Sequence, residues 1–150
     1  MKLDHEAKVA RVSLRAEELL EQLERPEEEM LRQVQSEGRS DIKLASLWRP
    51  EYASYMVEST PGAPYGNFNM VEQNMRNRRQ ELQQLLEKDE IVVTTSFPRL
   101  GCPGFTSPHF LPDSENSFTR SLFWPSEATS EHPRFAQLSE NIRLRRGEKV

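Results

Sequence analysis

Apolar residues are scarce in this chain of 150 residues: 35% are hydrophobic and the mean hydropathy is −0.77. That leaves little surface for an independent core, and ten prolines divide the chain into short elements. The single cysteine, Cys102, excludes an internal disulfide framework and fits a reducing compartment. No apolar run approaches the roughly 18 residues that a membrane-spanning helix needs. A net charge of −4 argues against a general affinity for nucleic acid or anionic membranes. His5, His109 and His132 lack metal-ligand spacing to one another or to Cys102, which sets zinc aside.

What is present alternates between strand and helix signals. Lys8 to Leu14 places Ala10, Val12 and Leu14 on one side, the period of a short strand. Ala16 to Leu23 switches to a helical period. A second helix is expected from Pro26, with Glu27, Glu28 and Glu29 in its first turn and Gly38 at its end. Together, residues 15–40 read as an acidic helical surface insertion. A third helix is expected from Asn69, capped with Glu72, with Val71, Met75, Leu82, Leu85 and Leu86 on one face. Arg76, Arg78 and Arg79 on it fit a solvated or salt-bridged face better than a phosphate site.

Ile91-Val92-Val93-Thr94-Thr95 is a β-branched run with the pattern of an interior strand. It leads into Phe97-Pro98-Arg99-Leu100-Gly101-Cys102-Pro103-Gly104, a loop where substrate contacts are expected to collect and where Arg99 could meet a carboxylate or phosphate. Cys102 has no neighbouring base and is not expected to act as a nucleophile. Thr106 to Thr119 reads as a surface loop, and Phe123-Trp124-Pro125 as an anchor on the core. Pro133 opens a last helix with Phe135, Leu138 and Ile142 on its buried face, Arg143, Arg145 and Arg146 near its C-terminus, and Gly147 after it.

The least generic stretch is Trp48-Arg49-Pro50-Glu51-Tyr52-Ala53-Ser54-Tyr55-Met56-Val57-Glu58, followed by the turn Pro61-Gly62-Ala63-Pro64. Glu51 and Glu58 stand among aromatic residues, a setting that suits a hard cation: Mg2+ usually takes one or two carboxylates plus nucleotide phosphates. A seven-residue offset puts the two on opposite faces of an unbroken strand. Pro50 and Pro61 argue against a helix across the run, so convergence requires a bend or bulge near Ala53 and Ser54. The alternative is that both are solvent-facing or pair with nearby arginines.

That stretch, the Thr94 to Phe105 string and the closing Ile142-Arg143-Leu144-Arg145-Arg146-Gly147-Glu148-Lys149-Val150 together resemble the catalytic subunit of eukaryotic glutamate-cysteine ligase. The resemblance implies an α+β, glutamine-synthetase-like fold of mixed strands with flanking helices, of which residues 1–150 form part of the catalytic domain. It implies ATP-dependent joining of the side-chain carboxyl of L-glutamate to the amine of L-cysteine, through an acyl phosphate and with Mg2+, the first step of glutathione synthesis. By similarity Glu51 and Glu58 match two metal-binding glutamates, and no residue of this chain is assigned a covalent catalytic role. The family further implies a cytoplasmic location and a possible modifier subunit as partner.

The family's upstream Gly-Asp-Glu-x-Glu-Tyr element, with two more metal-binding glutamates, is missing, and Met1 to Glu6 resembles the sequence just after it. The 150 residues alone are therefore expected to be inactive. Glycine is expected where Ala53 stands, and the connection from Tyr65 to Phe68 is shorter than in the family. A non-catalytic isoform or paralogue acting in subunit association is the competing reading. A nucleic-acid binder has only the arginine clusters behind it.

Overall fold

The computed structural model describes residues 1–96, 99–100, 102–112 and 121–147, and it is a mixed α+β arrangement of two small sheets and four helices. Strand β1 (Lys2–Asp4) pairs antiparallel with β2 (Val9–Ser13), Lys2 opposite Arg11. On its other edge β2 runs parallel to the two-residue β5 (Thr106–Ser107). A separate hairpin joins β3 (Ser46–Pro50) to β4 (Val57–Pro61), with Trp48 opposite Ser59 and Arg49 opposite Glu58.

Helix α1 (Ala16–Leu23) buries Ala16, Leu19, Leu20 and Leu23, the i, i+3, i+4, i+7 pattern of one helical face. Leu19, Leu20 and Leu23 pack with Trp48 and Leu82 as the core, flanked by Val57, Leu85, Leu86 and Val92. Each buried aliphatic side chain there contributes about 1.5–3 kcal/mol. Helix α2 (Arg25–Glu37) carries Pro26 in its first turn and ends at the left-handed Gly38, and none of its residues is buried. Of the 15–40 segment, then, α2 lies on the surface while α1 supplies the core.

Helix α3 (Asn69–Gln83) forms as its periodicity predicts, but its cap differs. Phe68 occupies the N-cap with no side-chain bond, and Asn67 Oδ1 instead accepts from the Met70 N–H at 3.3 Å. Its apolar stripe is buried only at the C-terminal end: Leu82 is buried, whereas Met75 is exposed. Helix α4 (Pro133–Arg146) starts at Pro133 and ends at the left-handed Gly147, with basic residues in its last turn as expected. It buries Phe135 and Arg143 but exposes Leu138, so its inward face is rotated from the one the apolar spacing predicts.

Two further expectations give way. Residues 91–95 form no strand. Ile91 pairs with Met1 and Val92 with side chains of α3, but the N–H groups of Val93, Thr94 and Thr95 have no acceptor among the described residues. β-Branched propensity cannot make a ladder without a neighbouring backbone. The Thr106–Thr119 loop begins instead as β5, where Thr106 is fully buried, and its residues 113–119 lie outside the described residues. In the anchor at 123–125, Pro125 is buried, Trp124 packs on Tyr55 with ring centroids 5.9 Å apart, and Phe123 is exposed. Gly62 is required for close approach: a Cβ there would stand 1.9 Å from the Leu44 carbonyl oxygen.

Candidate functional site

The bend predicted at Ala53 and Ser54 is the return of the β3–β4 hairpin, and it is pinned from three sides. The Ser54 amide donates to the Ala128 carbonyl at 3.0 Å, the Ser130 amide to Tyr52 O at 2.9 Å, and the Ala16 amide at the start of α1 to Ser54 O at 2.9 Å. Inside the turn, the Met56 N–H donates to Ala53 O at 2.8 Å. Ala53 is 1% exposed, and it is not among the residues with positive φ, so the turn does not need the glycine that the family resemblance implies. Tyr52 meets the Phe135 ring edge-on at 5.8 Å and hydrogen-bonds Ser139 through its hydroxyl at 2.8 Å. Burial, with Cys102 and Tyr52 nearby, pushes the Tyr55 hydroxyl above its ordinary pKa.

The return separates Glu51 from Glu58 by a turn, so the two do not lie along one unbroken strand. Glu58 stands opposite Arg49 in the hairpin, and Glu51 lies just past the end of β3, where the return begins. Glu51 is half-buried and its Oε1 accepts from the Tyr52 N–H at 2.7 Å. Glu58 is exposed. Arg49 is engaged elsewhere, by a two-pronged ion pair to Glu27 of α2 at 2.6 and 2.7 Å, and among the described residues Glu58 has no ion pair.

The opposite side of the hairpin, with Trp48, Val57 and Ser59, faces a cavity of about 1450 Å3. Arg99 lines that cavity, with φ of 70° and its guanidinium 5.5 Å from the centre of the Phe105 ring. Arg99 thus lies on the cavity side with Trp48, and Glu58 lies on the exposed side of the hairpin. Phe97, Pro98 and Gly101 of the Arg99 loop lie outside the described residues. Cys102 is a half-buried free thiol.

The arginines of α3 are occupied. Arg76 pairs with Glu72 at 2.8 Å, and Arg79 donates to Val92 O at 3.1 Å. Arg78 bonds the Ser59 carbonyl and hydroxyl, Asn74 and Tyr65, tying α3 to the hairpin.

One carboxylate escaped the sequence reading. Glu90 is 2% exposed and accepts from the Ser13 hydroxyl, from Arg15 Nη1 at 2.7 Å and from the Glu87 N–H at 3.1 Å. Burial pushes its carboxyl pKa up, but the Ser13 and Glu87 hydrogen bonds and the Arg15 and Lys2 charges outweigh burial and hold it below the ordinary value. Its one signal was position, as the last acid before a β-branched run.

Among the described residues no cluster of three or more His, Cys, Asp or Glu could enclose a metal. Two carboxylates with free oxygen capacity suit Mg2+, which completes its shell from phosphates and water. No helix among the described residues is long and apolar enough to cross a membrane.

Comparison with known proteins gives a consistent result. The family description "Glutamate-cysteine ligase" matches residues 1–150. The glutamate-cysteine ligase catalytic subunit of Homo sapiens is 50% identical over 153 aligned residues, covering 98% of this chain and 22% of that protein. The catalytic subunit of Rattus norvegicus is 47% identical over the same share of each chain, and the ligase of Schizosaccharomyces pombe is 47% identical over 69% of this chain and 16% of its own length. This chain therefore spans about a fifth of the length of these relatives. No solved structure matches. With the family model matching all 150 residues and the human relative 50% identical over 98% of them, the chain belongs to the glutamate-cysteine ligase family.

Proposed function

We propose that this chain supplies part of the catalytic domain of an ATP-dependent ligase that joins the side-chain carboxyl of L-glutamate to the amine of L-cysteine. In that reaction the γ-phosphoryl group of ATP passes to the glutamate carboxylate. The cysteine amine then attacks the acyl phosphate, and phosphate leaves as the amide forms. The fold that this reading carries is glutamine-synthetase-like. A modifier subunit is a further expected partner.

The observation that supports it is the hairpin return at Ala53 and Ser54, which brings Glu58 back beside the strand that leads to Glu51. Glu51 and Glu58 would hold Mg2+, which when bound neutralises charge on the phosphate oxygens. The roles of this chain's own residues are positional. Tyr52 fixes Glu51 through its N–H, and Glu27 draws Arg49 away from Glu58, leaving that carboxylate without a competing cation.

The test uses a chimera in which residues 1–150 replace the matching stretch of the 50%-identical human catalytic subunit. Glu58→Gln keeps the shape and removes the charge, and formation of the dipeptide should fall about 100-fold, with partial recovery at raised Mg2+. Unchanged kinetics would return Glu58 to a surface role.

A further inference from the structure

Helix α3 meets the β3–β4 hairpin with a polar stripe. Asn74, Arg78 and Glu81 are spaced by four and three residues, which puts them on one helical face. Asn74 Nδ2 donates to Ala45 O at 3.1 Å, just before β3, and the Ser46 hydroxyl donates to Glu81 Oε2 at 2.8 Å. Arg78 lies between them. Its Nη1 donates to the Ser59 carbonyl and, at 3.0 Å, to the Ser59 hydroxyl. Its Nη2 donates to the Tyr65 hydroxyl at 3.3 Å and its Nε to Asn74 Oδ1 at 2.9 Å. Each of these acceptors is a neutral oxygen, so the guanidinium fork serves geometry rather than the neutralisation of an acid.

The ladder explains why Ser59 can accept this clamp. The Gly62 N–H donates to Ala45 O at 3.1 Å, which makes Ala45 and Gly62 a hydrogen-bonded pair one step beyond Ser46 and Pro61. Bonded pairs alternate along antiparallel strands, so Leu47–Thr60 and Arg49–Glu58 are bonded and Trp48–Ser59 is not. The Ser59 carbonyl therefore points out of the ladder, away from β3, where Arg78 holds it. At the same level of the other edge the Trp48 carbonyl likewise accepts from the Arg49 side chain, at 2.5 Å. Glu58 is thus fixed twice: its own backbone pairs with Arg49, and the next residue is gripped at carbonyl and hydroxyl. Ser59 lines the cavity, so strand alternation keeps the Glu58 side chain on the exposed side.

We propose that Arg78 is the positioning residue for Glu58: by clamping Ser59 from α3 it holds β4 in the rotation that presents the Glu58 carboxylate to Mg2+. Arg78 acts only through Ser59 and does not bind the metal itself. Its charge works against the metal, because a fixed cation near the site repels Mg2+. The sign of its effect therefore separates the two contributions: losing the clamp weakens Mg2+ binding, whereas losing a cation alone strengthens it. The proposal rests on the metal-binding reading of Glu58.

Calorimetric titration of Mg2+ into the chimera with a non-hydrolysable ATP analogue bound tests it, with thermal unfolding recorded for every variant. Arg78→Met should lower Mg2+ affinity about tenfold, the low end of the cost of removing a group that orients a metal ligand. Arg78→Lys keeps the charge without the fork and should restore only part of that loss. Arg76→Met removes the same charge from the same helix, at a residue paired with Glu72, and should leave the affinity unchanged. In a Glu58→Gln background Arg78→Met should cost no more than about twofold further. Unchanged affinity in Arg78→Met, even with a lower melting temperature, would make the residue a structural tie and overturn the proposal. Raised affinity, full recovery with Arg78→Lys, an equal loss in Arg76→Met, or an undiminished loss in the Glu58→Gln background would overturn it as well. If Arg78→Met does not fold, Arg78→Lys and Tyr65→Phe carry the test: each should lower Mg2+ affinity a few-fold, and parent affinity in both refutes the clamp. A loss with Glu58→Gln but not with Arg78→Met removes the positioning role alone. Parent affinity in Glu58→Gln removes the metal-binding reading and this proposal with it.

Discussion

Glu90 and Glu58 carry the same carboxyl group in opposite settings. Glu90 is 2% exposed and surrounded by the Ser13 hydroxyl, the Arg15 guanidinium and the Glu87 amide. Glu58 is exposed on the hairpin side away from the cavity, without an ion pair among the described residues. A buried carboxylate survives only by spending its lone pairs on donors of the fold, and this ties the end of β2, the start of α1 and the 87–91 segment together. An exposed one keeps its lone pairs for something else. Burial and partner count therefore separate the structural acid from the candidate ligand, where sequence spacing alone weighs every glutamate alike.

Substitutions can break or sharpen that contrast. Glu90→Ala strips the Ser13 hydroxyl and the Glu87 amide of their acceptor and leaves Arg15 to Glu18 and Glu87, and thermal unfolding of the chimera should report a loss of about 2 kcal/mol, with no change in Mg2+ dependence below the new melting temperature. Glu58→Gln should do the opposite: activity falls about 100-fold, or about 2.7 kcal/mol of transition-state stabilisation, while the melting temperature stays put.

Acid gives a third handle, because the folded Glu90 carboxyl titrates below its ordinary value of 4.5. A depressed carboxylate contributes stability that is fully present above the unfolded value and is lost as pH falls through the folded one. The melting-temperature gap between the parent chimera and Glu90→Gln should thus be widest near neutral pH and narrow progressively as pH falls below the ordinary value of 4.5. A gap that is constant down to pH 3 would remove the charge from the explanation. The smallest effect is expected at the surface. Glu27→Gln breaks the ion pair with the half-exposed Arg49 and should cost about 0.5 kcal/mol, with salt reducing even that. The freed Arg49 sits opposite Glu58, so this substitution should also weaken Mg2+ activation a few-fold, about 0.5 kcal/mol.

Much of the fold was legible because its signals are local. The period of Ala16 to Leu23 marks α1 residue for residue, and Pro26, Gly38, Pro133 and Gly147 punctuate α2 and α4 where the structure has them. The bend at Ala53 and Ser54 followed from requiring two carboxylates at an odd offset to share a side. What was illegible depends on distant partners. The 91–95 run reads as an interior strand, yet among the described residues its backbone is paired only at Ile91 and Val92, and Glu90 gains its donors from Ser13 and Arg15 at the other end of the chain. Leu138 spaces correctly for the core of α4, but Tyr52 and Ser139 set that helix's contact, and Leu138 turns outward.

The most direct measurement is a calorimetric titration of Mg2+ into the chimera with a non-hydrolysable ATP analogue bound, repeated for Glu51→Gln, Glu58→Gln and Glu90→Gln. Division of labour between the carboxylates predicts that Mg2+ affinity falls about tenfold or more for Glu51→Gln and Glu58→Gln and is unchanged for Glu90→Gln. Equal Mg2+ affinity in the parent and in Glu58→Gln, or a loss confined to Glu90→Gln, would contradict it.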